Sequence, residues 1–262
     1  MKRTIPIFRV VYDGSRFNGS QLQASVPTVQ RTLEYALRGL TIEEKPRIQF
    51  SGRTDTGVHS KGQVFTVKEG LSPSTQKVAH LLNDRVGPYI RITGWADADS
   101  DFTPRYSAIS RTYEYIIRPG DEADPFRDAY STPVEKTIDL ALAQKFASFF
   151  EGIHDFTNLT VKAQAQSQME RLVDKVTILK GEEGTLVLTF VSRAFLRRQV
   201  RNMVNLIILG GQGELDIGRL EELLQSDVKE SMIRPAPAGG LYLTRIKYQK
   251  DYFQPYPETS PL

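Results

Sequence analysis

Cysteine is absent from this chain of 262 residues. Disulfides and thiolate metal sites are therefore excluded. Histidine is scarce, and the three present, His59, His80 and His154, lie far apart. A zinc centre needs several ligands converging on one point, so none is expected. No apolar run reaches the roughly 18 residues of a membrane span. The opening MKRTIPIFRVVYDG is too short and too quickly polar for a secretory signal, which makes the cytoplasm the expected compartment.

What is present has an ordinary bulk composition. Hydrophobic residues make up 40% and charged residues 25%, as in globular proteins generally. The length suits one large domain or two modest ones. Net charge is +3, a small excess that a mixed solvated surface could also give. Its distribution is more telling. Arg193, Arg197, Arg198 and Arg201 crowd together, whereas acids gather at 119–128 and 214–230. Phosphate contacts need several cations on one face, and this clustering supplies them.

Strand and helix signals alternate along the chain. A strand is expected over Ile5–Tyr12, then a polar loop, then a helix capped by Thr28 with Val29, Leu33, Ala36, Leu37 and Leu40 at helical spacing. Ile48–Phe50 and Val64–Val67 read as strands, followed by a helix near Thr75–Asp84 and a strand over Tyr89–Trp95. Further on come a strand (Thr112–Arg118), a helix through Leu142, Phe146, Phe149 and Phe150, and a hairpin of Leu172–Leu179 with Thr185–Val191. A basic helix (Leu196–Leu209), a short helix near Leu220–Leu224 and a last strand (Leu241–Tyr248) complete the pattern. This order implies an α+β fold with helices covering mostly antiparallel sheet. The proline-rich DYFQPYPETSPL is expected to be a loosely held tail.

The most informative stretch is SGRTDTGVHSKGQ, residues 51–63, a loop between two expected strands. Gly52 and Gly57 free the backbone for a close approach. Asp55 sits beside Arg53, and a neighbouring cation keeps a carboxylate charged. Such an aspartate can be a nucleophile or base; equally, it can close an Asx turn and pair with Arg53. In the basic helix, Leu196, Val200, Met203, Val204, Ile207 and Ile208 form an apolar stripe with Arg197 and Arg201 on its border. Border arginines either snorkel into water or reach into a cleft. RTYEYII, starting at Arg111, alternates aromatic residues as a strand with one buried face does. His59 lies close after Asp55, but nothing in the spacing makes it a general base.

Read as a whole, SGRTDTGVHS closely resembles the GRTDAGVHA active-site loop of tRNA pseudouridine synthases of the TruA type. The resemblance recurs in order along most of the chain. FLRRQVRNMV (195–204) is similar to the family's FLHHMVRNIV, RTYEY to its RxYxY strand, APAGGL (236–241) to its APxxGL segment, and YDGSRFNGSQLQ (12–23) to its YDGxxxxGWQxQ. Phe102 and Arg105 fit an FxxR element, and His154-Asp155-Phe156 an HDF element.

This resemblance implies two related ferredoxin-like (RRM-like) half-domains whose sheets join at a central cleft. Residues 1–107 would carry the catalytic loop and 108–250 the second half, with a hinge near Ser107–Arg111 and 251–262 as tail. It implies Asp55 as the catalytic carboxylate, Arg201 as its basic partner, and Tyr113 over the target base, with Tyr115 in the core. Leu241 would contact the base from the other side. Arg53, Arg105, Arg197, Arg198 and Gln21 would face substrate. Two departures stand out: Ser20 replaces the family's tryptophan, and Arg197 and Arg198 stand where histidine or glutamine is common. The implied reaction isomerises uridine to pseudouridine in tRNA, in the anticodon stem-loop, by a cytoplasmic homodimer without cofactor or metal. A relative acting at other tRNA positions shares the signature. A non-catalytic RNA-binding or chaperone protein would keep the basic face and dispense with the acid. A glycosidase-like hydrolase would need a second facing carboxylate, and none is evident.

Overall fold

The computed structural model describes residues 4–68, 70–120, 122–161, 169–225 and 233–253. The chain divides into two compact units, one formed by residues up to Ile109 with those from Leu243 onward, the other by Ser110–Tyr242.

The first unit runs β1 (Thr4–Tyr12), α1 (Val29–Ala36), β2 (Ile48–Phe50), β3 (His59–Val67), α2 (Thr75–Arg85) and β4 (Ile90–Asp99). β1 lies antiparallel between β3 and β4, and β2 pairs antiparallel with β3. The last strand, β10 (Leu241–Tyr248), runs from the second unit into the first and lies beside β3. Alternation along β1 sends Phe8, Val10 and Tyr12 into one core with Val29, Leu33 and Leu37 of the α1 region and Val78 and Leu82 of α2, as a pleated strand requires. The expected cap holds, with the Thr28 hydroxyl accepting from the Arg31 amide at 3.2 Å.

Ile7 points to the opposite face, where it packs with Val64, Ala98, Phe102, Tyr248 and Phe253. Here the structure corrects the expectation of a tail loose from Asp251. The Tyr252 ring centroid is 5.0 Å from that of Phe102, and the Arg9 guanidinium lies 5.4 Å from the Phe253 ring centroid. The aromatic pair has apolar surface to bury, which the prolines around it obscure. Residues 254–262 of the expected tail lie outside the described residues.

The second unit contains β5 (Ala108–Pro119) from Ser110 onward, β6 (Thr132–Val134), α3 (Leu140–Phe149), β7 (Gly152–Asp155), β8 (Glu170–Lys180), β9 (Leu186–Ser192), α4 (Gln199–Gly211) and α5 (Ile217–Gln225). Its sheet order is β5-β9-β8-β7, antiparallel throughout, with β6 added parallel to β5. The expected hairpin is β8–β9. In α3 the buried face is Ala143, Phe146 and Ala147, with Phe150 just beyond, whereas Leu142 is exposed, because it falls at the edge of that stripe. α3 and α4 approach closely: a Cβ on Gly210 would fall 2.4 Å from the Phe146 ring. The α+β architecture is the one expected.

Several boundaries differ: β3 already begins at His59, inside the stretch expected to be a loop, and β4 and β5 run longer than their apolar alternation marks. α4 begins at Gln199, not Leu196, because Arg198 takes a left-handed φ of 65°, a conformation that no helix continues through. Leu196 and Arg197 therefore precede the helix.

Candidate active site

In the first unit, the loop from Ser51 to Val58 is tied down on both sides of Asp55. The Ser51 amide donates to the Val64 carbonyl at 2.8 Å. Gln63 closes around Gly52, donating Nε2 to its carbonyl at 2.9 Å and accepting from its amide at 3.3 Å. Thr54 is held at three points. Its amide donates to Ser20 Oγ at 2.9 Å, its carbonyl accepts from the Ser20 amide at 3.1 Å, and its hydroxyl lies 2.9 Å from the Tyr12 hydroxyl. Beyond Asp55, the Val58 amide donates to the Asp55 carbonyl at 3.1 Å. Gly57 takes a φ of 80° that an ordinary side chain would resist.

Asp55 itself is half-buried, and Arg53 is exposed beside it. A carboxylate so placed has its backbone fixed before any ligand arrives, which is what a nucleophile or base requires. Ser20, at the position of the family's tryptophan, is fully buried, and Gln21 next to it is half-buried. Gly19 makes the approach possible, since a Cβ there would sit 2.9 Å from the Thr54 carbonyl oxygen. Burial pushes the Tyr12 phenol up to about 12, against the lowering effect of its Thr54, Gln63 and Ser60 hydrogen bonds. The hydroxyl stays protonated at neutral pH.

His59 opens β3. It is buried, and its Nδ1 accepts from the Gly14 amide at 3.1 Å. Asp13 Oδ1 is 3.3 Å from the same nitrogen. The Asp13 carboxylate accepts from the Ser15 amide at 3.0 Å.

In the second unit, the period of β5 puts Arg111, Tyr113 and Tyr115 on one buried face. Tyr115 is the core residue, fully buried, with its hydroxyl 2.5 Å from Thr132 Oγ1 and donating to the Pro237 carbonyl at 2.9 Å. Burial pushes its phenol well above the usual range despite the nearby positive charge of Arg201. Tyr113 is 8% exposed and meets Phe195 edge-on at 5.5 Å.

Arg201 lies in the first turn of α4. Its Nε donates to the Ala236 carbonyl at 2.7 Å, and its own carbonyl accepts from the Ala236 amide at 3.0 Å. Arg201 and Tyr115 thus fix consecutive carbonyls of the APAGGL segment. Its glycines allow the tight packing, since a Cβ on Gly240 would fall 2.8 Å from the Tyr115 ring. Leu241, which ends the segment, is 5% exposed.

Between β9 and α4 the chain makes a basic turn in which Arg193, Arg197 and Arg198 are exposed. The turn is rigid: Ser192 Oγ donates to Ala194 O at 3.0 Å, Gln199 Oε1 accepts from the Leu196 amide at 2.8 Å, and Thr160 donates to the Arg197 carbonyl at 2.9 Å. Fixed backbone under exposed guanidinium groups suits phosphate contact. Arg105 is exposed, its guanidinium 5.5 Å from the Tyr106 ring centroid. His154 serves its own turn, bonding to the Glu151 carbonyl at 2.9 Å and packing on Phe149. Among the described residues, no group of three His, Asp or Glu side chains is placed to hold a metal ion.

The structure thus ties the loop around Asp55 to Tyr12, Ser20 and Gln63 in the first unit. In the second it gathers Arg201 and Leu241 with Tyr115. The sequence carries one signal of the Ser20 contact, the interrupted GWQxQ pattern, but not its partner.

Comparison with known proteins adds family information. A family model described as tRNA pseudouridine synthase matches residues 146–249. A Streptococcus mutans protein named tRNA pseudouridine synthase A is 30% identical over 91% of this chain and 96% of its own length. Proteins of the same name from a Roseiflexus species and from Streptococcus equi are each 32% identical, covering 93% and 92% of this chain and 90% and 97% of their own lengths.

Proposed function

The chain belongs to the tRNA pseudouridine synthase A family, a family of isomerases, and from that premise we propose that it converts uridine to pseudouridine in the anticodon stem-loop of tRNA. The reaction breaks the N1–C1′ bond of the nucleotide, turns the uracil and forms a C5–C1′ bond, so that N1 gains a proton and C5 loses one. Asp55 is the catalytic carboxylate, acting at the sugar. The observation that carries this reading is the anchoring of Thr54 at three points immediately before Asp55, which fixes one carboxylate in a loop matching the family's active-site wording.

Tyr113 and Arg201 act on the same nucleotide in this proposal. An aromatic ring stacked on an unpaired base stabilises it by about 1–3 kcal/mol, and a guanidinium keeps a carboxylate charged and oriented. Leu241 contacts the base. Unstacking a stem uridine costs a few kcal/mol, offset by phosphate contacts from Arg53, Arg105, Arg197 and Arg198, while Gln21 faces the substrate. The reading keeps two halves, 1–107 and 108–250, and extends to a cytoplasmic homodimer. Sedimentation of the purified chain solely as a monomer would remove the dimer.

The test is to incubate transcribed tRNA with the protein and map pseudouridine by carbodiimide modification and primer extension. Stops confined to the anticodon stem-loop, lost with Asp55→Ala, are the expected result. Stops elsewhere would reassign the position, and stops that persist in Asp55→Ala would overturn the catalytic role.

A further inference from the structure

Outside the Asp55 loop, the first unit has a cavity of about 420 Å³ against α1, whose walls include Leu22, Arg31, Glu34, Tyr35, Arg38 and Lys45. Its volume falls in the usual range for a small-ligand site, roughly 300–1,000 Å³. Its charge is lopsided, three cations to one carboxylate. That carboxylate is committed to the framework: Glu34 Oε1 accepts from Gln30 Nε2 at 2.8 Å and from the Ile48 amide at 3.1 Å.

Among the described residues none of the three cations has a carboxylate partner. Arg31 donates to the Gln23 carbonyl, and the Arg38 guanidinium lies 4.9 Å from the centroid of the Tyr35 ring. Tyr35 is 69% exposed, an aromatic face in water beside unpaired positive charge. The end of α1 would ordinarily repel an anion. Here Arg85 donates to the Ala36 and Arg38 carbonyls at 2.9 and 3.1 Å, which offsets that field. The cavity is also coupled to the catalytic loop, since Gln30 accepts from the Leu22 amide at 2.9 Å and donates its own amide to the Ser20 carbonyl at 3.0 Å.

Cations that neutralise phosphates, set around an exposed ring on which a base can stack, are the two components of single-strand RNA binding. An acidic peptide would use the charges but leave Tyr35 idle. We propose that this cavity is a second RNA subsite, which takes one unpaired nucleotide of the bound tRNA, its phosphate on Arg31, Arg38 and Lys45 and its base on Tyr35. The inference rests on the reading of the chain as a tRNA-modifying enzyme and places a substrate contact that the motif residues do not include.

The test measures binding of fluorescently labelled tRNA transcript to the full-length protein across a salt series. Combined Arg31→Ala, Arg38→Ala and Lys45→Ala should weaken binding by about tenfold or more at low salt. It should also flatten the dependence of log K on log salt by about 0.7, the contribution of a single phosphate on a single strand. Tyr35→Ala should weaken binding by about fivefold or more with the salt slope unchanged. In both, the single-turnover rate at saturating protein should match the wild type, and thermal melts should show folded protein.

A charge-matched set on the second unit, Lys145→Ala, Lys175→Ala and Lys180→Ala, should lose less. Unchanged affinity in the α1 variants, equal loss in the matched set, or displacement of tRNA by polyglutamate only when Arg31, Arg38 and Lys45 are intact would each overturn the subsite. Wild-type protein that fails to bind tRNA at all would instead overturn the function on which it rests.

Discussion

Thr54 and Ser20 share a pair of hydrogen bonds that no water can replace, because Ser20 is fully buried and Thr54 nearly so. Removing the Ser20 hydroxyl leaves the Thr54 amide without its acceptor, a loss of about 1–3 kcal/mol for a buried donor. Asp55 is the next residue, so the loosening also reaches the carboxylate proposed to react, and small misplacements of a reacting group are costly. Ser20→Ala should therefore lower the single-turnover rate at saturating protein by roughly tenfold while leaving tRNA affinity unchanged. A variant with wild-type rate, or one that loses affinity alone, would contradict the positioning role.

Tyr12, on the other side of Thr54, gives a pH signature. Its phenol is raised in the fold to about 12, so the folded form holds its proton where the unfolded chain, near 10, has lost it. The resulting stability is complete below pH 10 and disappears as pH climbs toward 12, a change of roughly 2–3 kcal/mol. Tyr115, shifted in the same direction, adds to it. Melting temperature should fall across that window, and Tyr12→Phe should shallow the fall; an identical profile in the variant would refute the assignment. At this scale the core placement of Tyr115 was legible, since alternation along RTYEY marks one buried face. Ser20 was legible only as a departure. A serine hydroxyl identifies a partner only once the fold brings Thr54 to it from 34 residues away.

Among the elements, α4 has the most to position. Its first turn carries Arg201 and its far end lies on α3 at Gly210. Adding a methyl there drives a carbon into the Phe146 ring, 2.4 Å away, and overpacking of this kind costs about 1–3 kcal/mol. Gly210→Ala should lower the melting temperature measurably. An unchanged melt would mean that the helices separate freely. Periodicity announced α4 but not its start: nothing in LRRQ marks Arg198 as left-handed, because glycine is the usual sign of that conformation. The same limit explains Leu142, apolar and at helical spacing yet exposed, since spacing defines a stripe only to within one residue of its edge. The first strand was clearer: Ile5–Tyr12 was expected and β1 spans Thr4–Tyr12, as a period of two leaves no intermediate positions.

For the whole chain, the α+β pattern followed from alternating periods, whereas the packing of Tyr252 and Phe253 on Phe102 and Arg9 did not, because it joins residues remote in sequence. The catalytic account reduces to one demand, that a charged oxygen at Asp55 perform the isomerisation. Asparagine keeps the shape of that side chain and removes its charge. The decisive measurement is tritium release from tRNA carrying [5-³H]uridine, in single turnover, with wild type and Asp55→Asn at equal tRNA occupancy. The account predicts release by the wild type in step with pseudouridine formation and none by the variant; release by the variant at the wild-type rate would contradict it.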